Sequence, residues 1–456
     1  MSIATPFGWW QVARLGLVQA ALGAVVVMTT STLNRVMVVE LALPALLPGL
    51  LVALHYAVQV LRPRMGHGAD VTGRHTPWIT GGVAVLAMGG VGAGLATAWL
   101  ATDRAAGLAL AVLSFAVIGV GVSAAGTALL ALLAKRVVPE RRAGAATVVW
   151  LLMIAGFVVT ASVAGKLLDP YSPSRLVAVM AGVSLVAVTV AVVAMAGLEG
   201  RGGAVAAPAA AEVRPPFLDA VRAVWADPAA RRFTVFVFVS MLAYSAQDLI
   251  LEPFAGSVFG FTPGASTRLA GIQHGGVLAG MLLAAFAGTR WKGRPLGSLR
   301  AWTVGGCIAS ALALAALAAA GVAAAGASAG AATIAWPLSA NVFALGFANG
   351  VFSIAAIGSM MRLAGEGRAR SEGVRMGVWG AAQALAFGLG GVVGTGASDL
   401  ARRWLGAPAP AYAWVFALEA FAFVGAALLA GRIAVPHLRA TGSPAAAVSA
   451  PQPAAA

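Results

Sequence analysis

Residues 175–197 read RLVAVMAGVSLVAVTVAVVAMAG, a run in which Arg175 is the only charged side chain. A helix needs about 20 mostly apolar residues to cross the hydrocarbon of a bilayer, so this run predicts a membrane span. The whole chain has the same character, with 60% hydrophobic and 10% charged residues among 456 and a mean hydropathy of +0.90. Soluble proteins carry about 25% charged residues. The composition therefore predicts an integral membrane protein.

Eleven further apolar runs accompany this one. The predicted spans lie near 15–33, 43–61, 78–100, 106–134, 145–163, 175–197, 233–254, 268–289, 301–320, 334–361, 377–398 and 412–431. The runs lack the alternation of barrel strands, and a backbone in lipid must satisfy its own hydrogen bonds, so each span is predicted to be a helix. The predicted fold class is an all-α integral membrane protein with twelve transmembrane helices.

Residues 198–232 separate the spans into two sets of six. This linker opens with a Gly/Ala/Pro-rich stretch and continues with an amphipathic segment around Phe217 and Trp225, which is predicted to lie on the membrane surface. Six spans, a cytoplasmic linker and six more spans are the architecture of the major facilitator superfamily, whose pseudo-symmetric halves hold substrate between them. The predicted domains are an N-terminal half over 1–197, the linker over 198–232, a C-terminal half over 233–435 and a disordered tail over 436–456.

The placement of lysine and arginine predicts the orientation. With a cytoplasmic N-terminus, 23 of the 30 Lys and Arg residues fall on the cytoplasmic side and seven on the other. Cytoplasmic loops of membrane proteins carry such an excess, so both termini are predicted to be cytoplasmic. The net charge of +15 is then a topology signal, and no nucleic-acid partner is expected.

Signatures of soluble enzymes are missing from the sequence. It contains no P-loop, no dinucleotide-binding glycine fingerprint, no Cys/His set with metal spacing and no nucleophile elbow. The single cysteine, Cys307, cannot form an intrachain disulfide. We expect neither catalysis nor a resident metal ion.

The loop after the second span carries a signature of the major facilitator superfamily, Gly-x-x-x-Asp followed by Gly-Arg, at Gly66, Asp70, Gly73 and Arg74. The match is partial, because Val71 and His75 depart from the pattern. The glycines are expected to form a tight turn, and Asp70 to face the N-terminus of a neighbouring helix. The segment is a candidate conformational latch, and a solvated basic turn is the alternative interpretation.

Polar residues inside spans are costly in lipid and point to functional sites. The two halves repeat one order of residues: Asn34, Arg35 and Glu40 before His55, and Gln247, Asp248 and Glu252 before His274. One interpretation is structural, with Arg35–Glu40 and Asp248 in ion pairs at span ends. The other is a polar site around a cavity between the halves, and spacing leaves both open.

Further polar residues in the predicted spans are Gln59, Asn341, Asn349, Gln383 and Glu419. Gln383 and the two asparagines are expected to form hydrogen bonds between helices. Glu419 lies among aromatic side chains in WVFALEAFAF, where a lone carboxylate needs either a partner or a proton.

Three segments carry a resemblance to a known family: NRVMVVELALPALLPGLLVALHYAVQVLRPRMG at 34–66, MLAYSAQDLILEPFAGSVFGFTPGASTRLAGIQHGGVLAGM at 241–281 and EGVRMGVWGAAQALAFGLGG at 372–391. They closely resemble the PucC/LhaA family, the bacteriochlorophyll-delivery branch of the major facilitator superfamily. The resemblance extends over nearly all of residues 8–435.

The resemblance implies a membrane assembly factor that binds bacteriochlorophyll as cargo and delivers it to light-harvesting antenna polypeptides. The implied partners are the antenna alpha and beta polypeptides, the pigment or its synthesis machinery, and the lipid of the bacterial cytoplasmic (inner or intracytoplasmic) membrane. The pigment magnesium takes a neutral imidazole, or an amide or carboxylate oxygen, as its axial ligand. The candidate ligands are His55 and His274, followed by Glu40, Glu252, Asn34 and Gln247. The alternative function on the same fold is a proton-coupled secondary transporter of a small solute, with Glu40, Glu252 or Glu419 as the proton carrier.

Overall fold

The fold is all-α apart from one pair of two-residue strands. It is seen in a computed structural model that describes residues 6–138, 141–199, 222, 225–288, 290–291, 294–295, 297–326, 336–365 and 372–432. The first helices are α1 (Trp9–Val27), α2 (Leu46–Val58), α3 (Arg62–Thr72), α4 (Thr76–Trp99), α5 (Arg104–Arg136), α6 (Arg142–Leu167) and α7 (Pro173–Met195). The later ones are α8 (Pro228–Phe259), α9 (Pro263–Gly288), α10 (Leu299–Gly326), α11 (Leu338–Gly365), α12 (Glu372–Leu405) and α13 (Pro408–Gly431). Strands β1 (Arg290–Trp291) and β2 (Arg294–Pro295) pair antiparallel between α9 and α10.

Eleven helical segments of the described chain are long and apolar enough to cross a membrane. The remaining predicted span, 43–61, is a shorter apolar helix at Leu46–Leu61. It is shorter because the chain leaves helical geometry just before it, where Ala42 has a φ of 49° and Pro44 has no N–H with which to continue a helix. The predicted all-α membrane fold is confirmed, and the protein is a multi-pass membrane protein.

The first span is longer than predicted. It does not end at residue 33 but continues to Glu40 through two π-helical stretches, Met28–Leu33 and Val36–Glu40. In the first stretch the Thr30 hydroxyl donates to the carbonyl of Val26 at 3.1 Å, and side-chain bonds of this kind compete with the regular helical ladder. The polar residues predicted at the end of the span therefore lie within it. Such π-turns are frequent at functional sites.

Buried apolar side chains form two large clusters. One is drawn from residues 7–198 together with Leu249 and includes Phe115. The other is drawn from residues 230–430 and includes Phe352 and Trp379. Helices α1–α7 and α8–α13 thus pack around separate cores.

The two helix sets meet mainly along two pairs, α2 with α12 and α6 with α9, and the π-helical end of the first span adds smaller contacts with α8 and α9. Glycine allows a very close approach in both pairs. A Cβ atom on Gly165 would lie 2.7 Å from the carbonyl oxygen of Gly264, and one on Gly49 would clash with the Thr395 hydroxyl. These contacts place the helix backbones almost against each other.

Some predicted segments lie outside the described residues. They are most of the linker 198–232, including Phe217 of its amphipathic segment, and the tail 436–456. Helix α8 begins at Pro228, before the predicted start of the seventh span at 233.

Candidate functional site

A polar seam joins the first span to the C-terminal helices, and we define it as Asn34, Arg35, Gln247 and Glu252. The Asn34 side-chain amide donates to the backbone carbonyl of Leu249 at 2.6 Å. The Arg35 guanidinium donates to a backbone carbonyl beyond α8, that of Phe261, at 2.5 Å. Both bonds cross between the helix sets, so the seam lies at their interface.

Arg35 is the buried charge of this seam, with an exposed fraction of 2%. It pairs with the Glu40 carboxylate at 2.5 Å, as the structural interpretation predicted. The same interpretation predicted an ion pair for Asp248, and this prediction is wrong: among the described residues the partner of Asp248 is the amide of Gln273 on α9, which is not a cation. The Gln273 side chain donates to Asp248 Oδ1 at 3.0 Å.

All four side chains of the seam carry buried polar atoms without a hydrogen-bond partner of standard geometry among the described residues. They are Oδ1 of Asn34, Nε of Arg35, both amide atoms of Gln247 and both carboxylate oxygens of Glu252. Glu252 also lies within the electrostatic influence of Arg35 and close to the Ser266 side chain. Since buried polar groups are nearly always paired, these atoms form a place where a polar group of a ligand could bind.

His55, on α2, has both ring nitrogens engaged. Its Nδ1 lies 2.9 Å from the carbonyl oxygen of Val52, and its Nε2 lies 3.1 Å from the side-chain amide nitrogen of Gln59. Arg62 in turn donates to the Gln59 carbonyl oxygen at 2.5 Å. This chain of hydrogen bonds leaves His55 no free nitrogen for a ligand, and it explains the intramembrane Gln59.

His274, on α9, is arranged differently. Its Nδ1 lies 2.8 Å from the backbone carbonyl of Ala270, so Nδ1 carries the proton and Nε2 is a lone-pair donor. No hydrogen bond to Nε2 is found among the described residues, and the edge of Phe157 from α6 packs on the ring with centroids 4.9 Å apart. Histidines that ligate metals usually donate their other N–H to a carbonyl in this way.

The predicted latch segment is largely helical. Gly66 and Asp70 lie within α3. The prediction that both glycines form a tight turn is therefore wrong for Gly66, because the helix that begins at Arg62 continues through Gly66 to Thr72. Gly73 does provide the turn, with a φ of 64°. Arg74 follows at an exposed position.

The residue that binds this turn is Glu199, which sequence reasoning missed. Its carboxylate accepts from the backbone N–H groups of His75 and Thr76 at 2.7 and 2.8 Å. It also contacts His75 Nδ1 at 2.9 Å and the Thr76 hydroxyl at 2.7 Å. Burial opposes ionisation, but the bonds from His75 and Thr76 prevail and lower the pKa of Glu199 to about 2. The sequence feature that could have revealed Glu199 is an acidic residue directly after the sixth span, which can pair with the N-terminus of a helix such as α4.

Two further acidic residues that were not predicted link the helix sets. Asp399, on α12, accepts from the backbone N–H groups of Ala45 and Leu46 at 3.0 and 2.8 Å, and so caps α2. Asp169, after α6, pairs with Arg268 of α9 at 2.8 Å. Burial opposes ionisation of Asp169, but hydrogen bonds from the Arg268 and Thr262 side chains lower its pKa.

The other intramembrane amides join helices within the C-terminal set. Asn341 donates to the carbonyl of Ala313 at 2.9 Å, and Asn349 accepts from Ser310 at 2.9 Å. Gln383 has only a weak contact, 3.9 Å, to the sulfur of Met241. The structural interpretation of the two asparagines is therefore confirmed.

A groove of about 580 Å³ opens between α10 and α11. Its lining is apolar and includes Trp302, Phe347 and Val351. None of the predicted pigment ligands lines it, so it offers no axial ligand.

The fold resembles solved transporters. The chain is similar to a peptide transporter in complex with sulfate, with a TM-score of 0.68 and 13% identity over 94% of this chain and 96% of that one. It is also similar to an inward-facing, unoccupied bacterial homolog of the human lysosomal transporter Spinster, with a TM-score of 0.63 and 14% identity over 93% and 94%. Identities this low show the fold alone. The two structural matches define the class of this protein: it is a membrane protein with the fold of the major facilitator superfamily, as predicted.

The chain belongs to the PUCC protein family, whose model matches residues 32–438. It is 51% identical over 423 residues to the "Bacteriochlorophyll synthase 44.5 kDa chain" of Rhodobacter capsulatus, covering 93% of this chain and 95% of the relative. It is 29% identical over 448 residues to protein PucC of Rhodobacter capsulatus, covering 93% and 92%. The predicted resemblance is confirmed.

Proposed function

We propose that the protein binds bacteriochlorophyll within the membrane and delivers it to antenna alpha and beta polypeptides during assembly of photosynthetic complexes. The observation that carries this proposal is His274, a nearly buried imidazole whose Nδ1 donates to the Ala270 carbonyl at 2.8 Å and whose Nε2 is free among the described residues. The family and the name of the relative at 51% identity support the pigment as cargo.

His274 suits the axial position of a magnesium macrocycle. The bond to Ala270 fixes the tautomer, and the neutral imidazole is the form that ligates metals. Phe157 holds the ring from α6. The polar seam, through Asn34, Gln247 and Glu252, supplies polar atoms for the carbonyl groups at the macrocycle's edge, and Glu40 serves Arg35 instead of the pigment.

The proposed role is that of a carrier and assembly factor and not of an enzyme. The relative's name contains the word synthase, so the two roles predict different results with pigment precursors. A carrier releases the pigment chemically unchanged, and chromatography of bound and released pigment tests this. A newly formed product would contradict the proposal.

We place the protein in the bacterial cytoplasmic or intracytoplasmic membrane with both termini in the cytoplasm, because 23 of 30 basic residues then fall on the cytoplasmic side. Reporter fusions after Gly431 and within the 198–232 linker should both read cytoplasmic. A reading on opposite sides would contradict this topology.

The test of the proposed site is the absorption spectrum of protein purified gently from a pigment-producing host. Wild-type protein should carry bacteriochlorophyll in near-stoichiometric amount, and His274→Leu should lose most of it at normal expression. His55→Leu is the matched control, because both nitrogens of His55 already have partners, and it should retain its pigment.

Full pigment in His274→Leu would contradict the ligand assignment. Colourless wild-type protein that exchanges a labelled small solute in liposomes would contradict delivery and favour the proton-coupled transporter, for which the solved neighbours show the fold.

A further inference from the structure

Helix α8 contains a proline in its interior, Pro253. The other prolines of the described helices lie in the first turn, where the backbone N–H groups have no partner within the helix. A proline has no N–H, and its ring crowds the carbonyl group four residues before it. In α8 that carbonyl belongs to Leu249, which is therefore left without its donor from the helix.

The missing donor comes from the other helix set. The side-chain amide of Asn34, in the first span, donates to the carbonyl of Leu249 at 2.6 Å, and Asn34 has an exposed fraction of only 1%. Prolines are tolerated inside membrane spans where a neighbouring helix satisfies the backbone group that the proline frees. Asn34 thus replaces the N–H that Pro253 removes.

The next residue of the first span holds α8 on the other side of the proline. The Arg35 guanidinium lies against Gly256, where an added Cβ atom would be 2.9 Å from Nη2 and 3.1 Å from Cζ. It also donates to the carbonyl of Phe261 at 2.5 Å. Two consecutive residues therefore bind α8 before and after Pro253.

The first span is itself irregular at this point. Its two π-helical stretches, Met28–Leu33 and Val36–Glu40, lie on either side of Asn34 and Arg35. Helices bend sharply at prolines and at π-turns, and hinges are a few positions that absorb large changes in backbone angles. Each of the two spans thus has its weak point where it contacts the other.

We propose that Pro253 is a hinge in α8 and that Asn34 is the lock of this hinge. While the bond to Leu249 is made, the end of α8 from Pro253 to Phe259 is fixed on the first span. When the bond breaks, that end swings away and exposes Glu252 of the polar seam. The hinge goes beyond the proposed function, because no step of it involves pigment.

The first experiment is a double-mutant cycle in full-length, pigment-free protein in detergent, followed by thermal unfolding. Asn34→Leu should lower the unfolding midpoint by roughly 1–3 °C, because it leaves a buried carbonyl without a donor. In a Pro253→Ala background the same substitution should leave the midpoint unchanged, because the alanine N–H then serves the Leu249 carbonyl. Such a difference between the two backgrounds measures the coupling of the two sites.

Asn341 is the matched control for this cycle. It also donates to a backbone carbonyl of a neighbouring helix, that of Ala313 at 2.9 Å, but the residue four positions later, Leu317, is not a proline. Any effect of Asn341→Leu on the midpoint should therefore be the same with and without Pro253→Ala.

The second experiment measures the movement itself as thiol reactivity, in a Cys307→Ala background. Ala255→Cys and Ala243→Cys place single thiols after and before the hinge, at positions with exposed fractions of 0% and 1%. Adding Asn34→Leu should raise the rate of reaction with a water-soluble maleimide several-fold at position 255 and leave it unchanged at 243. Adding Pro253→Ala as well should bring the rate at 255 back.

An equal loss of stability from Asn34→Leu in both backgrounds would overturn the lock. An unchanged rate at position 255, or an equal rise at 243, would overturn the hinge, since an equal rise indicates general loosening of the protein. If Asn34→Leu alone does not fold, the double variant with Pro253→Ala decides: it should fold, and its failure to do so overturns the proposal. All of these measurements use protein without pigment, so the outcome of the pigment experiments does not affect them.

Discussion

Arg35 and Glu40 form an ion pair whose members differ in access to water. The side chain of Arg35 is 2% exposed and that of Glu40 is 33% exposed. Removing one partner of a buried pair is costly when it leaves the other charge buried. An orphaned Glu40 can be hydrated, but an orphaned Arg35 cannot.

Glu40→Gln should therefore destabilise the protein more than Arg35→Met does. We expect a loss of about 3 kcal/mol for Glu40→Gln and about half as much for Arg35→Met, measured as the free energy of unfolding in detergent. Equal losses, or the reverse order, would show that the pair is not the buried anchor described above.

Glu199 gives a pH dependence whose sign follows from its pKa of about 2, below the ordinary value of 4.5. Its cap on α4 stabilises the folded protein fully above pH 4.5 and is lost as the pH falls towards 2. The difference in stability between wild type and Glu199→Gln should shrink over that interval. A constant difference from pH 6 to 3, measured by thermal unfolding, would contradict the cap.

Sequence predicted the polar residues well and their partners poorly. Asn34, Arg35 and Glu252 stand out because amides and charges are rare in apolar runs. Asp169, Glu199 and Asp399 were missed because they lie at helix ends, where acidic residues are ordinary. Their partners are 99, 124 and 354 positions away in the chain, and no local pattern reveals such distances.

At the scale of helices, glycine decides how closely α6 and α9 approach. Gly165 of α6 faces the backbone of Gly264 of α9. A Cβ atom added to Gly275, another residue of α9, would have nothing within 4 Å. Both glycines lie within helices, so Ala at either position gains the same backbone advantage.

Gly165→Ala should destabilise the protein by about 2 kcal/mol, because the added methyl group overpacks the contact. Gly275→Ala should be neutral or stabilise it by up to about 1 kcal/mol, the usual gain of Ala over Gly in a helix. Thermal unfolding of the two variants side by side measures the contrast. Equal changes in stability in the two variants would mean that α6 and α9 do not approach each other this closely.

Helix positions were predictable from apolar runs, but irregular turns were not. The π-helical stretches that extend the first span to Glu40 depend on local hydroxyl bonds such as that of Thr30. The shortened helix at Leu46–Leu61 depends on the break before it. Hydropathy averages over about 20 residues and cannot register either feature.

For the whole molecule, polar contacts join the helix sets at both helix pairs: Asp399 of α12 binds the start of α2, and Asp169 pairs with Arg268 where α6 meets α9. Thr267 lies in this region with an exposed fraction of 1%, and its hydroxyl is 3.0 Å from that of Thr32 across the interface. These bonds hold the two sets together.

An engineered thiol at Thr267→Cys should react faster with a water-soluble reagent when Asp169→Asn is added. The pair with Arg268 is partly exposed, so it contributes about 1 kcal/mol or less and the increase should be no more than several-fold. The native Cys307, which is fully buried, provides the unreactive control. An unchanged rate at Thr267→Cys would show that this ion pair does not hold the interface.

Pigment delivery can be measured as transfer from the protein to the antenna polypeptides. Purified protein loaded with bacteriochlorophyll is mixed in liposomes with pigment-free antenna alpha and beta polypeptides, and the absorption spectrum is followed. Pigment should leave the protein without chemical change, and the red-shifted band of the antenna complex should grow at the same rate, with His274→Leu inactive. Pigment that stays on the protein, or antenna that forms equally fast from free pigment and with His274→Leu, would contradict pigment delivery.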